Sequence, residues 1–321
     1  MREHGGNLDQ AVRRFGGREQ DWIDLSTGIN RQPYPVGEIG PRHWSALPAH
    51  SDIESLHEAA QQAYATVAPI LALAGVQAAI QLLPRLVPQG RARVLAPTYN
   101  EYVAVLSSAG WDAAEASSLD ALAGADLAVV VNPNNPDGRR HNKGELLALL
   151  PHVGCLVVDE SFADAVSELS LASEAGRPDL LILRSFGKFY GLAGLRLGFV
   201  LGGKGDIAAL SAMAGPWPVS GAAIAVGRRA LLDRDWAKAT ATRLERDCLR
   251  LDAEAKSQGW RLVGGTPLFR LYETEDARAA QERLAGARIW SRVFERQPRW
   301  LRLGLPGDEA EWARLAAALP G

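Results

Sequence analysis

The sequence predicts an α/β protein whose large domain is built on a mainly parallel sheet, with a smaller α/β domain after it. Three observations predict this. Short apolar runs, among them Ile70-Leu71-Ala72-Leu73, Val129-Val130-Val131, Leu156-Val157-Val158 and Leu180-Leu181-Ile182-Leu183, end at Gly, Asn, Asp or Arg-Ser. Such brevity suits buried strands better than buried helices. Helical stretches separate the runs from about residue 66 to 201, the alternation that yields parallel strands covered on both faces. After Pro216-Trp217-Pro218 the order changes to a long helical stretch followed by alternating strands. The 321 residues accommodate both domains.

Taken in order, residues 1–50 read as an irregular arm that joins the small domain and the active site. Gly5-Gly6, Gly16-Gly17, Pro33, Pro35, Pro41 and Pro48 interrupt it, and residues 22–25 form one short strand. The large domain spans 51–215. Its first helix covers 51–66, with Ile53, Leu56, Ala60 and Ala63 on one face and Ser51 as N-cap. A strand then meets Gly75-Val76-Gln77 at the start of a helix over 78–86. A glycine at such a junction lets backbone N–H groups approach a phosphate. The strand 93–97 ends in Thr98-Tyr99-Asn100, before a helix over 103–109. The strand 126–131 ends in Asn132-Pro133-Asn134-Asn135-Pro136-Asp137-Gly138, a proline-stiffened turn. A helix over 144–150 and the strand 155–160, closed by Asp159-Glu160, follow.

Next comes Leu183-Arg184-Ser185-Phe186-Gly187-Lys188-Phe189-Tyr190-Gly191, with Arg196 eight residues after the lysine. A lysine among apolar groups loses its charge readily, because burial disfavours the ammonium. Its neutral amine can bond covalently to an aldehyde cofactor. Ser185 and Arg196 can hold a phosphate, one by its hydroxyl and the other by its bidentate fork. The small domain spans 216–321. It carries a helical stretch over 220–256, broken near Leu232-Asp233, strands at 260–263, 268–272 and 300–305, and helices at 277–285 and 309–319.

Composition excludes several classes of function. With 47% hydrophobic and 22% charged residues the chain is an ordinary globular protein, and a net charge of -2 supplies no attraction for nucleic acid or anionic membrane. Cys155 and Cys248 show no metal or redox spacing, and no metal site is expected. The polar Met1-Arg2-Glu3-His4 start lacks a signal-peptide core, and no run reaches the 18 apolar residues of a membrane span, so a cytoplasmic location is expected.

The motifs together resemble the pyridoxal-phosphate enzymes of the aspartate-aminotransferase fold, fold type I, in family order: glycine turn, Pro-Thr-Tyr, Asn-Pro-Asn-Asn-Pro, Val-Val-Asp-Glu, lysine loop. His4-Gly5-Gly6-Asn7 and Asp24-Leu25-Ser26-Thr27-Gly28-Ile29-Asn30 resemble one branch in particular, the threonine-phosphate decarboxylases of cobalamin synthesis, related to histidinol-phosphate aminotransferase. The resemblance implies pyridoxal phosphate as cofactor, held covalently by Lys188. Gly75, Val76, Gln77, Ser185 and Arg196 would take its phosphate, Tyr99 would stack on its ring, and Asn135 would donate to its phenolic oxygen. Asp159 would pair with the pyridine nitrogen. Arg302 would grip the substrate carboxylate, and His4, Ser26, Thr27, Gly28, Asn30 and Asn135 would complete the substrate site.

The implied reaction is decarboxylation of L-threonine O-3-phosphate, with a histidinol-phosphate or other aminotransferase as the alternative. A non-catalytic regulatory module of a DNA-binding protein is a remote alternative, since no helix-turn-helix pattern or basic excess precedes the fold. The resemblance also implies a homodimer. Two departures stand out. Phe162 replaces a tyrosine that donates to the phenolic oxygen in many relatives, and Leu47 stands where several relatives place a tyrosine that crosses to the partner's cofactor.

Overall fold

The apolar run Leu180–Ser185 lies inside a seven-stranded sheet in the computed structural model, which describes residues 5–319. Across this sheet the strands run Ile70–Leu73, Gly198–Leu201, Leu180–Ser185, Leu156–Asp159, Leu127–Val131, Arg91–Leu95 and Asp112–Ala116. Gly198–Leu201 is antiparallel to both neighbours, and the other strand pairings are parallel. The chemistry of the runs explains the arrangement. Leu180, Leu181, Ile182 and Leu183 are fully buried, as are Leu156, Val157 and Val158. Each large apolar side chain so buried contributes about 1.5–3 kcal/mol. Val76–Leu82, Glu101–Ser108 and Lys204–Ala214 share one apolar core with the sheet. His50–Ala63 packs on Ile70–Leu73 and against Gly221–Leu232.

The chain divides into two compact units. The larger holds Tyr34–Asn135 and Arg140–Lys238; the other holds the chain up to Pro33, Pro136–Arg139 and the chain from Ala239 on. This differs from a boundary at Pro216-Trp217-Pro218 and from a separate arm over 1–50. Gly221–Leu232 belongs to the larger unit, and Ala222, Ala223, Ile224 and Val226 are among its buried residues. The division falls inside the long helix Arg234–Ser257, after the break expected at Leu232-Asp233.

The smaller unit is built on a four-stranded antiparallel sheet, Arg292–Phe294, Gln297–Gly304, Phe269–Glu273 and Arg261–Thr266 in spatial order. Ile23–Asp24 forms a separate parallel pair with Ile289–Trp290. The helix Leu8–Phe15 was not expected in an arm so rich in breakers. Asn7 caps it by accepting from Gln10 N–H at 3.3 Å, and Ala11 buries against Trp22, Ala285 and Trp290. Ser51 is not an N-cap. The first helix of the larger unit starts at His50, and the Asp52 carboxylate satisfies its end by accepting from Ala49 N–H at 2.9 Å.

Gly138 explains why the end of the asparagine–proline turn joins the smaller unit. Its φ is +70°, and a Cβ there would lie 2.2 Å from the Gly265 carbonyl oxygen. Gly138→Ala is therefore expected to cost on the order of 3 kcal/mol, from left-handed strain plus a backbone clash that cannot relax cheaply. Thermal unfolding measures it, and an unchanged midpoint would contradict this packing.

Candidate active site

In the larger unit the parallel strands deliver their functional residues at one edge, beyond their carboxyl ends, where open α/β sheets hold ligands. Asp159 is the last residue of Leu156–Asp159 and is buried. The Tyr102 hydroxyl donates to one carboxylate oxygen at 2.7 Å and Ser161 N–H to the other at 2.9 Å. These two donors fix the carboxylate's orientation. Burial and the Asp159 charge keep the Tyr102 hydroxyl protonated well above its usual range, so it remains a donor. Tyr102 was missed by sequence reasoning. The available signal was its place three residues after Tyr99, in the first turn of Glu101–Ser108.

Lys188 sits in the short helix Phe186–Phe189, half-buried, with its Nζ 3.5 Å from Ser185 Oγ and 5.2 Å from the centre of the Phe162 ring. The nitrogen thus has an apolar ring on one side and a hydroxyl on the other. Phe162 is buried there without a hydroxyl to offer.

The glycine turn has the form of an anion cradle. Gly75, with φ +81°, caps Val76–Leu82, and a Cβ at Gly75 would lie 2.9 Å from an Arg196 guanidinium nitrogen. Arg196 itself is left-handed, with φ +55°. Ser185 pairs with Gly198, and Gly198 with Leu73, so the serine and the turn start from one row of the sheet. Gly75, Val76, Gln77, Ser185 and Arg196 thus gather around one space and fit a cofactor phosphate. Tyr99 is tied to this turn, its hydroxyl donating to Gln77 Oε1 at 3.2 Å. The asparagine–proline turn is tied to the two residues before Tyr99. Thr98 donates to Asn134 Oδ1 at 2.7 Å, and Asn134 donates to the Pro97 carbonyl at 2.8 Å. Asn132 braces the same turn by exchanging hydrogen bonds with the His141 backbone at 2.9 and 3.0 Å. Asn135 follows Asn134 directly in this braced turn. Residues expected to hold pyridoxal phosphate therefore fit that group: an anion cradle, an aromatic, an amide, an oriented carboxylate and a lysine along one sheet edge.

Asp159→Asn is expected to bind cofactor yet lose about 10²-fold or more in turnover, by analogy with the removal of one preorganised partner. Near-wild-type turnover in a folded variant would show that Asp159 does not meet the pyridine nitrogen.

The smaller unit carries Arg302, the residue expected to grip the substrate carboxylate. Arg302 is buried in Gln297–Gly304, donates to the Ser26 carbonyl at 2.8 Å and lies 4.9 Å over the Phe269 ring. Burial, and then Arg292, disfavour the charge on Arg302, while Asp24 favours it. Arg292 is the directly opposite residue on the adjacent antiparallel strand. Like charges at opposite positions repel, which makes the pair a strong attractor for anions. Sequence reasoning missed Arg292. Its strand is three residues long, and its register depends on an irregularity between Val293 and Phe294.

The arm reaches the same place. Ser26 is buried, donates to Asp24 Oδ1 at 2.6 Å and accepts from Gly6 N–H at 2.8 Å, and its carbonyl meets Arg302. The Thr27 carbonyl oxygen closes against Gly304, so Thr27 and Gly28 continue past the end of the Arg302 strand. Asn30 differs. Its side-chain oxygen accepts from Arg243 at 2.7 Å and from Gln32 N–H at 3.0 Å, which ties the arm to the long helix. His4 lies outside the described residues. Among the described residues there is no metal-binding cluster, and no helix is long and apolar enough to cross a membrane.

Comparison with known proteins gives concordant matches. Residues 47–319 match the family described as aminotransferase class I and II. The chain is 44% identical to a threonine-phosphate decarboxylase of a Sinorhizobium species, over 98% of this chain and 97% of that one. It is 44% identical to a threonine-phosphate decarboxylase of Pseudomonas aeruginosa, over 100% of this chain and 98% of that one. Among solved structures it resembles a histidinol-phosphate aminotransferase of Sinorhizobium meliloti solved with pyridoxal 5'-phosphate. The TM-score is 0.79, with 21% identity over 97% of this chain and 93% of that one.

Proposed function

Because the chain belongs to the class I and II aminotransferase family, we propose that it uses this fold for a pyridoxal-phosphate-dependent decarboxylation, converting L-threonine O-3-phosphate to 1-aminopropan-2-yl phosphate for cobalamin synthesis. The observation that carries this reading is the Arg292–Arg302 pair, opposite one another on adjacent strands. A substrate with a carboxylate and a phosphate on neighbouring carbons answers two guanidinium groups. Histidinol phosphate, which lacks a carboxylate, answers one. Full-length identity to two relatives that bear the decarboxylase name supports the same conclusion.

When bound, pyridoxal phosphate supplies an electron sink for breaking a bond at the substrate's α-carbon. Lys188 would hold the cofactor, with Ser185, Arg196 and the Gly75 turn on its phosphate and Asp159 at its ring nitrogen. Arg302 binds the substrate carboxylate and orients it, since which α-carbon bond breaks is decided by positioning. Arg292 and the Ser26–Thr27 stretch of the arm bind the substrate phosphate. The Lys188 nitrogen then delivers the proton that replaces the carboxylate at the α-carbon.

A homodimer and a cytoplasmic location belong to this reading. Trp44 and Leu47 support the dimer: they are 67% and 65% exposed in the single chain, an unusual state for large apolar side chains close in sequence. Leu47 brings no hydroxyl to a partner's site. Both cysteines are free and buried, as suits a reducing compartment.

The test is a substrate panel with the cofactor-loaded protein. L-threonine O-3-phosphate is expected to be consumed with no keto acid added, and unphosphorylated threonine to react on the order of 10²-fold or more slowly, for lack of a buried charge-assisted contact. Turnover of histidinol phosphate that depends on 2-oxoglutarate, with threonine phosphate inert, would give the aminotransferase alternative.

A further inference from the structure

A buried ion cluster lies beside the strand that leads to the lysine. Arg184, the residue before Ser185, binds Glu160 Oε2 at 2.7 Å and Asp164 Oδ1 at 2.7 Å. The three side chains are 4%, 0% and 7% exposed. Glu160 is fully engaged, accepting also from Ser170 Oγ at 2.5 Å and Leu171 N–H at 2.6 Å. Two carboxylates thus face one guanidinium, which leaves one surplus negative charge. Asp164 Oδ2 is buried without a hydrogen-bond partner. A buried carboxylate oxygen left in this way calls for an explanation, and a neighbouring cation supplies one.

Two residues beside the cluster in the chain touch Lys188. Phe162, two residues before Asp164, has its ring 5.2 Å from the lysine nitrogen, and Ser185, next to Arg184, has its hydroxyl 3.5 Å from the same atom. We propose that Asp164 is a positioning residue that stabilises positive charge on the Lys188 nitrogen through the surplus negative charge of this cluster. The lysine then retains the proton it delivers to the substrate's α-carbon. In that step the bond to the carboxylate breaks, CO2 leaves, and the freed electron pair forms the new C–H bond with the proton from Nζ. The inference rests on Lys188 as the cofactor lysine.

Other titratable and charged groups surround Asp164. Burial pushes its carboxyl up, whereas Arg184 and then Lys188 act to lower it. Tyr64, from the end of His50–Ala63, and Tyr190 both face the cluster, and burial holds both hydroxyls protonated. Lys143 and Arg234 line the cavity of about 450 Å³ that Asp164 and Arg184 border. Asp159 does not substitute for Asp164, because Tyr102 and Ser161 already engage both of its oxygens.

The experiment compares the wild type with Asp164→Asn and Asp164→Glu. One readout is the pH midpoint of the bound cofactor's visible absorption. The other is the pH midpoint of Lys188 acetylation in the cofactor-free chain, followed by peptide mass spectrometry. Asp164→Asn should lower both midpoints by about one pH unit or more, the effect of removing one nearby charge in a poorly screened site. Asp164→Glu should recover most of that shift. Unmoved midpoints in Asp164→Asn would overturn the proposal. Should that variant not fold, carboxyl-carbon NMR of the wild type decides: Asp164 is expected to be ionised at pH 7, and a protonated Asp164 would overturn the proposal. Failure of the underlying reading has a separate signature, since borohydride would then trap the cofactor on a lysine other than Lys188.

Discussion

Lys188→Ala is expected to abolish turnover and the visible absorption of the protein-bound cofactor together. The four other lysines, Lys143, Lys204, Lys238 and Lys256, lie outside the Phe186–Phe189 turn that follows the Leu180–Ser185 strand end. Removing a residue that both anchors the cofactor and moves the proton should cost on the order of 10⁴–10⁶ in turnover, as for other residues that act as a covalent unit. The lysine's environment makes the effect specific. Its nitrogen lies near the Phe162 ring and the Ser185 hydroxyl, so alanine leaves a small space rather than a collapsed core. A variant that stays yellow after dialysis, with a borohydride-stable adduct on another lysine, would contradict the assignment.

Arg302→Ala is expected to lower kcat/KM for threonine phosphate by about 2–5 kcal/mol, or roughly 30- to 5,000-fold. Part of that loss should appear in kcat, because a carboxylate held by fewer contacts spends less time in the orientation that lets it leave. Arg292→Ala should act mainly through KM, and more on the phosphorylated substrate than on threonine itself. Since Arg302 also donates to the Ser26 carbonyl, its removal loosens the arm, and the double variant should lose less than the sum of the two singles. Additive losses with no change in preference for the phosphate would show that the two arginines bind separate things.

Much of the larger unit was legible because a parallel sheet buried on both faces leaves apolar runs that cannot hide. Leu180–Ser185, Leu156–Asp159 and Leu127–Val131 were each visible in this way, and Asp159 and Lys188 follow directly from two of them. Asp112–Ala116 was not, because Asp-Ala-Ala-Glu-Ala carries helical rather than strand propensity and gains its state only by pairing with Arg91–Leu95. The smaller unit hid more. Its short strands at 289–290 and 292–294 are set by tertiary pairing, so Arg292 could not be placed opposite Arg302 from spacing. Tyr102 escaped because its role depends on a contact with Asp159, 57 positions away. The helix Leu8–Phe15 had a local signal, Leu8, Ala11, Val12 and Phe15 at i, i+3, i+4 and i+7, and escaped because the glycines and prolines around it read as an irregular arm. For the short strands and Tyr102 the missing information was a long-range contact rather than a local preference.

The most direct measurement follows the carboxyl carbon. With L-threonine O-3-phosphate labelled there, the cofactor-loaded protein should release one equivalent of labelled CO2 for each substrate consumed, with no keto acid present. In deuterium oxide, the 1-aminopropan-2-yl phosphate formed should carry one solvent deuterium on the former α-carbon. Consumption that requires 2-oxoglutarate, yields glutamate and retains the label in a keto product would contradict decarboxylation as the activity of this chain.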